Sequence, residues 1–138
     1  MIVVDTNVLV YMFVQGPKTN LARRLLESDP QWMLPTLWRH EFHNVLVTHV
    51  QTKRLSLEQA EGIWKKAVDL LVDSEREVDL ALALRMAVEY GVTGYDAQFL
   101  ALAQAEEAVC ISEDKALKVK SPAGSVKNLE DYFGSAKA

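Results

Sequence analysis

Ile2-Val3-Val4-Asp5-Thr6-Asn7 sets how the rest of this chain is read. Ile2 to Val4 is a continuous β-branched run, the pattern of a short strand buried on both faces. Asp5 follows directly and so stands at the carboxyl end of that strand. Taken alone, it has an ordinary use as the N-cap of a following helix.

Outward from this stretch, apolar runs and helical stretches alternate. Residues 8–14 read as a first helix, broken by Gly16-Pro17, and residues 18–27 as a second with Leu21, Leu25 and Leu26 on one side. Trp32 to Leu34 is the next short strand. A helix then runs to about Lys53 with Thr36 as its N-cap. Ser56 and Gln59 form a capping-box pattern, which predicts a helix from Leu57 to about Val72. Residues 75–78 read as a short strand and 79–90 as a helix closed by Gly91. Another helix runs from Thr93-Gly94 to about Glu107, Val109 to Ile111 is a strand, residues 113–117 a short helix and 126–127 a last strand. Strands alternating with helices predict an α/β fold, a parallel sheet covered on both faces, whose sites form beyond the carboxyl ends of the strands.

A length of 138 residues suits one compact domain, expected over 1–134, with 135–138 as a frayed tail. With 49% hydrophobic residues the chain can build a core, and a net charge of −4 argues against a general nucleic-acid coat protein. The single Cys110 excludes an internal disulfide framework and fits a reducing compartment. Neither a signal-peptide pattern nor a membrane-length apolar run stands out, so a cytoplasmic protein without membrane partners is expected.

Three further acids share Asp5's setting. Glu41 lies one helical turn after Leu37 and Trp38 and one before Val45, so it falls either inside the apolar stripe or at its edge, paired with Arg39 or His40. Asp96 opens its helix, where acids are favoured, and leads a stripe of Leu100 and Ala103. Asp114 follows the 109–111 strand, with Ser112 as the expected N-cap. Four such carboxylates at one sheet edge suit a hard divalent cation, Mg²⁺ or Mn²⁺, which prefers oxygen ligands and can activate water against a phosphodiester.

These stretches resemble the PIN domains, in particular the VapC-type toxins of prokaryotic toxin–antitoxin pairs. The resemblance rests on Val3-Val4-Asp5-Thr6-Asn7-Val8-Leu9-Val10, on Tyr95-Asp96-Ala97-Gln98-Phe99-Leu100-Ala101-Leu102-Ala103, and on Ile111-Ser112-Glu113-Asp114-Lys115-Ala116-Leu117, with Glu41 where the second acid of that family belongs. It covers nearly the whole chain, in order. It implies a PIN-like parallel sheet of about five strands flanked by helices, and divalent-metal-dependent endoribonuclease activity. Asp5, Glu41, Asp96 and Asp114 would be the metal-holding catalytic residues, supported by Asn7 and Ser112. It also implies an RNA substrate, a homodimer and a cognate antitoxin. Glu113 is an extra acid the family pattern does not require.

Alternatives remain in view. His40-Glu41-Phe42-His43 lacks the spacing of a zinc protease, because position 44 is Asn44. A phosphoaspartyl phosphatase also begins with a strand-end aspartate but wants a second acid where Asn7 stands. A PIN nuclease of RNA processing, without an antitoxin, is the rival within the fold. Lys115, Lys118, Lys120 and Lys127 read either as a solvated basic face or, for the first three, as RNA-phosphate contacts.

Overall fold

Each face of a five-stranded sheet is covered by its own set of helices in the computed structural model, which describes residues 1–134. The elements run β1 (Ile2–Val4), α1 (Thr6–Phe13), α2 (Thr19–Ser28), β2 (Trp32–Pro35), α3 (Trp38–Gln51) and α4 (Leu57–Leu71). After a 3₁₀ turn (Val72–Ser74) come β3 (Glu75–Arg76), α5 (Leu80–Tyr90), α6 (Gly94–Ala105), β4 (Val109–Ile111), α7 (Lys115–Lys120), β5 (Val126–Lys127) and α8 (Leu129–Gly134). The 135–138 tail expected to fray lies outside the described residues.

The strand order is β3-β2-β1-β4-β5 and every pairing is parallel. Side chains alternate across the sheet. Ile2, Val4, Trp32, Leu34 and Ile111 enter a core shared with α1 to α4 and α8, while Val3, Met33 and Cys110 enter a second core under α5 and α6. Burial on both faces is why these strands carry almost no polar residues. The chain leaves β1 towards β2 on one side and returns through β4 on the other. The crevice between the carboxyl ends of β1 and β4 is therefore the topological switch point.

Two local devices aim elements at that crevice. Glu75 accepts from Arg39 Nε at 2.6 Å, Arg39 Nη2 at 2.9 Å and Trp38 Nε1 at 2.9 Å, so β3 anchors the first turn of α3. Gly91 closes α5 with φ at +67°, a left-handed conformation, and the chain then turns through Thr93, which caps α6.

Several boundaries differ from expectation. Thr36 does not cap α3: it lies in an exposed turn where its carbonyl, not its hydroxyl, accepts from Arg39 N, and the helix begins at Trp38. Strand β3 is two residues long rather than four. The short helix after β4 begins at Lys115, capped by Asp114 rather than Ser112, whose hydroxyl is committed to Asp5. Helix α8 was not anticipated, although Asn128 caps it through Asp131 N. The Ser56–Gln59 capping box is present as expected.

Gly91→Ala should destabilise the chain by about 1–2 kcal/mol, the cost of a left-handed Cβ-bearing residue. Gly62→Ala, in the exposed interior of α4 with nothing within 4 Å, should stabilise it by about 0.5–1 kcal/mol. Denaturant melts of the two variants check the pair of opposite signs.

Candidate active site

Asp5 ends β1 and starts α1, and it is 6% exposed. Its Oδ1 accepts from Thr6 N at 2.8 Å, and its Oδ2 accepts from Ser112 Oγ at 2.7 Å and Asn7 Nδ2 at 3.4 Å. Ser112 follows β4, so this contact bridges the two strands at the switch point. Asn7 completes the network: Nδ2 reaches Ser112 Oγ at 3.2 Å, and Oδ1 accepts from Glu113 N at 3.1 Å. Ser112 Oγ in turn accepts from Asp114 N at 3.1 Å.

The three other acids come from three other elements. Glu41 sits at the edge of the α3 stripe, not inside it. Its partner is Thr6, whose hydroxyl donates to Oε1 at 2.8 Å, while Arg39 is taken by Glu75. Asp96 is half-buried in the first turn of α6, its amide held by Thr93 Oγ1 at 3.0 Å. Asp114 caps α7 through Leu117 N at 3.1 Å. All four acids line one open cleft of about 330 Å³, together with Thr6, Asn7, Val10, Tyr11 and Val45. A larger cleft of about 490 Å³, between α3 and α4, is mainly apolar and holds no carboxylate cluster. The four acids make the smaller one the candidate site. His43 belongs to the apolar cleft, edge-on to Trp64, away from the acids.

Burial and mutual repulsion make the cleft costly. Burial pushes Asp5 up to about 6, with the charges of Asp96 and Glu41 adding to it against the hydrogen bonds from Ser112 and Thr6. Glu41 is raised by burial and by Asp96, against its bond from Thr6. Asp96 is raised by burial and by Asp114, with Thr93 and Lys120 opposing. An all-oxygen donor set whose charges are mutually unfavourable fits a hard divalent cation. Among the described residues, no three of these side chains already stand in ligating geometry. Thr6, Ser112 and Leu117 each occupy an oxygen of Glu41, Asp5 and Asp114 respectively, and Mg²⁺ commonly keeps several of its waters and uses few carboxylates directly.

The lysines divide. Lys120 acts electrostatically on Asp96 and donates to Gly91 O at 3.3 Å, so it stands beside the cleft. Lys118 is paired with Asp131 on α8, and Lys115 is exposed. The sequence reading missed Thr6, Thr93 and Tyr11. Thr6 had a signal in its place between Asp5 and Asn7, and Thr93 had the helix-cap pattern three residues before Asp96.

A family model described as "PIN domain" matches residues 2–121. The chain belongs to the PIN-domain family. It is similar to Ribonuclease VapC3 of Pyrobaculum aerophilum, 29% identical over an alignment of 126 residues that covers 88% of this chain and 95% of that one. Its fold is similar to the crystal structure of PAE2754 from P. aerophilum, with a TM-score of 0.76 and 21% identity, covering 98% of this chain and 95% of that one. It is likewise similar to FitAcB from Neisseria gonorrhoeae, with a TM-score of 0.73 and 15% identity, covering 94% and 98%. The PIN model ends at residue 121, so β5 and α8 extend the matched region.

Because Asp5 holds its proton more tightly folded than unfolded, its contribution to metal-free stability is full below pH 3.8 and is lost as pH rises through about 6. The loss is on the order of 3 kcal/mol. In chelator, Asp5→Asn should therefore gain stability relative to wild type between pH 4 and pH 7, by up to that amount. Melting curves at both pH values check it, and a constant difference would make Asp5 a plain structural cap.

Proposed function

We propose that this PIN-domain protein is a divalent-metal-dependent endoribonuclease, acting as the toxin of a type II toxin–antitoxin pair. The observation that carries the reading is the convergence of Asp5, Glu41, Asp96 and Asp114, from four separate elements, on one cleft at the switch point. The similarity to a protein named ribonuclease supports the substrate class, and the VapC-like motifs support a cognate antitoxin as partner.

The four carboxylates would hold Mg²⁺ or Mn²⁺, directly or through its waters, and the bound ion would supply an activated water and neutralise charge on the scissile phosphodiester. The chain's own residues do the rest. Thr6 orients Glu41, and Ser112 with Asn7 holds Asp5, so that the acids meet a substrate in fixed directions. Val10, Tyr11 and Val45 form the apolar part of the cleft wall. Lys120, beside Asp96, is placed to meet a phosphate of the bound strand. Lys118, committed to Asp131, is not. A phosphoaspartyl route is less well served. Asn7, where that chemistry wants a second acid, spends its side chain on Ser112 and Glu113.

We also propose a homodimer through α5. Leu80, Leu84 and Val88 are 62%, 67% and 78% exposed and recur every four residues, forming one apolar stripe. Arg85 and Glu89 flank the stripe. In an antiparallel two-fold pair the stripe meets its own copy, Leu84 against Leu84 and Leu80 against Val88. Light scattering at micromolar concentration should give twice the chain mass, and Leu84→Glu should halve it. A wild type that stays monomeric would rule this interface out.

The purified protein should cleave RNA with Mg²⁺ or Mn²⁺ and lose activity in chelator. Asp96→Asn should cost roughly 100-fold or more, the scale of losing one preorganised electrostatic contact. Its expression in bacteria should slow growth, and that of Asp96→Asn should not. Full cleavage in chelator sinks the metal-dependent reading, whereas cleavage without growth arrest favours an RNA-processing enzyme.

A further inference from the structure

Glu113 sits between Ser112 and Asp114, yet it is not among the residues lining the acid cleft. Its side chain is 7% exposed, unusual for a carboxylate, and both oxygens are occupied. Lys18 Nζ donates to Oε1 at 2.5 Å, and Leu129 N donates to Oε2 at 2.8 Å. The Glu113 amide itself donates to Asn7 Oδ1 at 3.1 Å. One residue therefore ties the 112–114 turn to the start of α2, the start of α8 and the first turn of α1. Lys18 also stands 5.5 Å from the ring of Tyr11, a wall of the cleft.

We propose that Glu113, held by Lys18, is a positioning residue for the acid cleft. It fixes the backbone of the turn from which Ser112 reaches Asp5 and Asp114 enters the cleft, and it touches neither metal nor substrate. The proposal rests on the nuclease reading above. A carboxylate suits the place because it offers an acceptor to the Lys18 ammonium and another to the Leu129 amide at once. Gln keeps the shape and one acceptor but turns an N–H₂ group towards one of these two donors. Asp is one methylene too short to span both. Removing the Lys18 ammonium leaves the enclosed Glu113 carboxylate without its cation, so the turn shifts rather than simply losing a bond.

The test uses Glu113→Gln, Lys18→Met and their double variant, with Lys18→Arg as the conservative replacement. Two quantities are read: Mn²⁺ binding by calorimetry without RNA, and kcat and KM on RNA, both well below each variant's melting temperature. The positioning role predicts that Glu113→Gln and Lys18→Met each weaken Mn²⁺ binding about 10-fold, the scale seen when a residue supporting metal ligands is lost. Both should lower kcat similarly and leave the KM for RNA within about 2-fold. The double variant should be little worse than either single one, and Lys18→Arg should recover most of the loss. Should Glu113→Gln not fold, the Lys18 pair decides the matter alone, since that side chain is 41% exposed. Variants that melt lower but bind Mn²⁺ and turn over within 2-fold of wild type overturn the positioning role and leave the nuclease reading standing. A wild type that binds no Mn²⁺, or an Asp96→Asn that cleaves normally, overturns the nuclease reading and this inference with it.

Discussion

The hydrogen bond from Ser112 Oγ to the buried Asp5 carboxylate, 2.7 Å long, joins the ends of β1 and β4 where the chain reverses its direction of travel across the sheet. Asp5 N also donates to Ile111 O, so backbone and side chain lock the same corner. A carboxylate so enclosed needs donors around it. Thr6 N, Ser112 and Asn7 provide them, and each then gains a fixed direction. Thr6 turns its hydroxyl to Glu41, Asn7 turns its carbonyl to Glu113, and Ser112 receives the amide of Asp114. The cleft is thus organised outward from one buried charge.

That organisation runs against stability. Asp5, Glu41 and Asp96 are all harder to ionise than ordinary carboxylates, and in each case burial is the main reason, with a neighbouring acid adding to it. A purely structural cluster would have little reason to retain such repulsion, since isosteric amides would relieve it. Elsewhere in the chain charges are treated differently. Arg39 beside Glu75 holds that carboxyl below the usual range, and the pair does structural service by anchoring α3. The contrast between an acid paired with an arginine at β3 and acids raised by burial and by one another at the switch point supports the proposed cation site.

Much of this was legible in the residues. Apolar runs ending in acids predicted both the parallel sheet and the edge at which a site would form, and Gly91 and Ser56 marked helix ends by backbone and side-chain chemistry that is purely local. What escaped depended on distant partners. Whether Glu41 lay inside its stripe or at its edge was fixed by the Glu75 anchor 36 residues from Arg39 and by Thr6 35 residues from Glu41. Ser112 read as a helix cap because a hydroxyl before a helix has the same local pattern whether it bonds forward or across the sheet. Lys118 was open to reading as a solvated charge or a phosphate contact because its partner, Asp131, lies on α8, an element not anticipated. Glu113 looked surplus because both groups that its carboxylate binds come from elsewhere in the chain.

Crystals grown with saturating Mn²⁺ show whether the four acids form a cation site at the switch point. An anomalous difference map should show a peak within the cleft, within coordination distance of Asp5 and Asp96. A fully occupied map with no peak there, and with the Asp5, Ser112 and Thr6 hydrogen bonds unchanged, would contradict it.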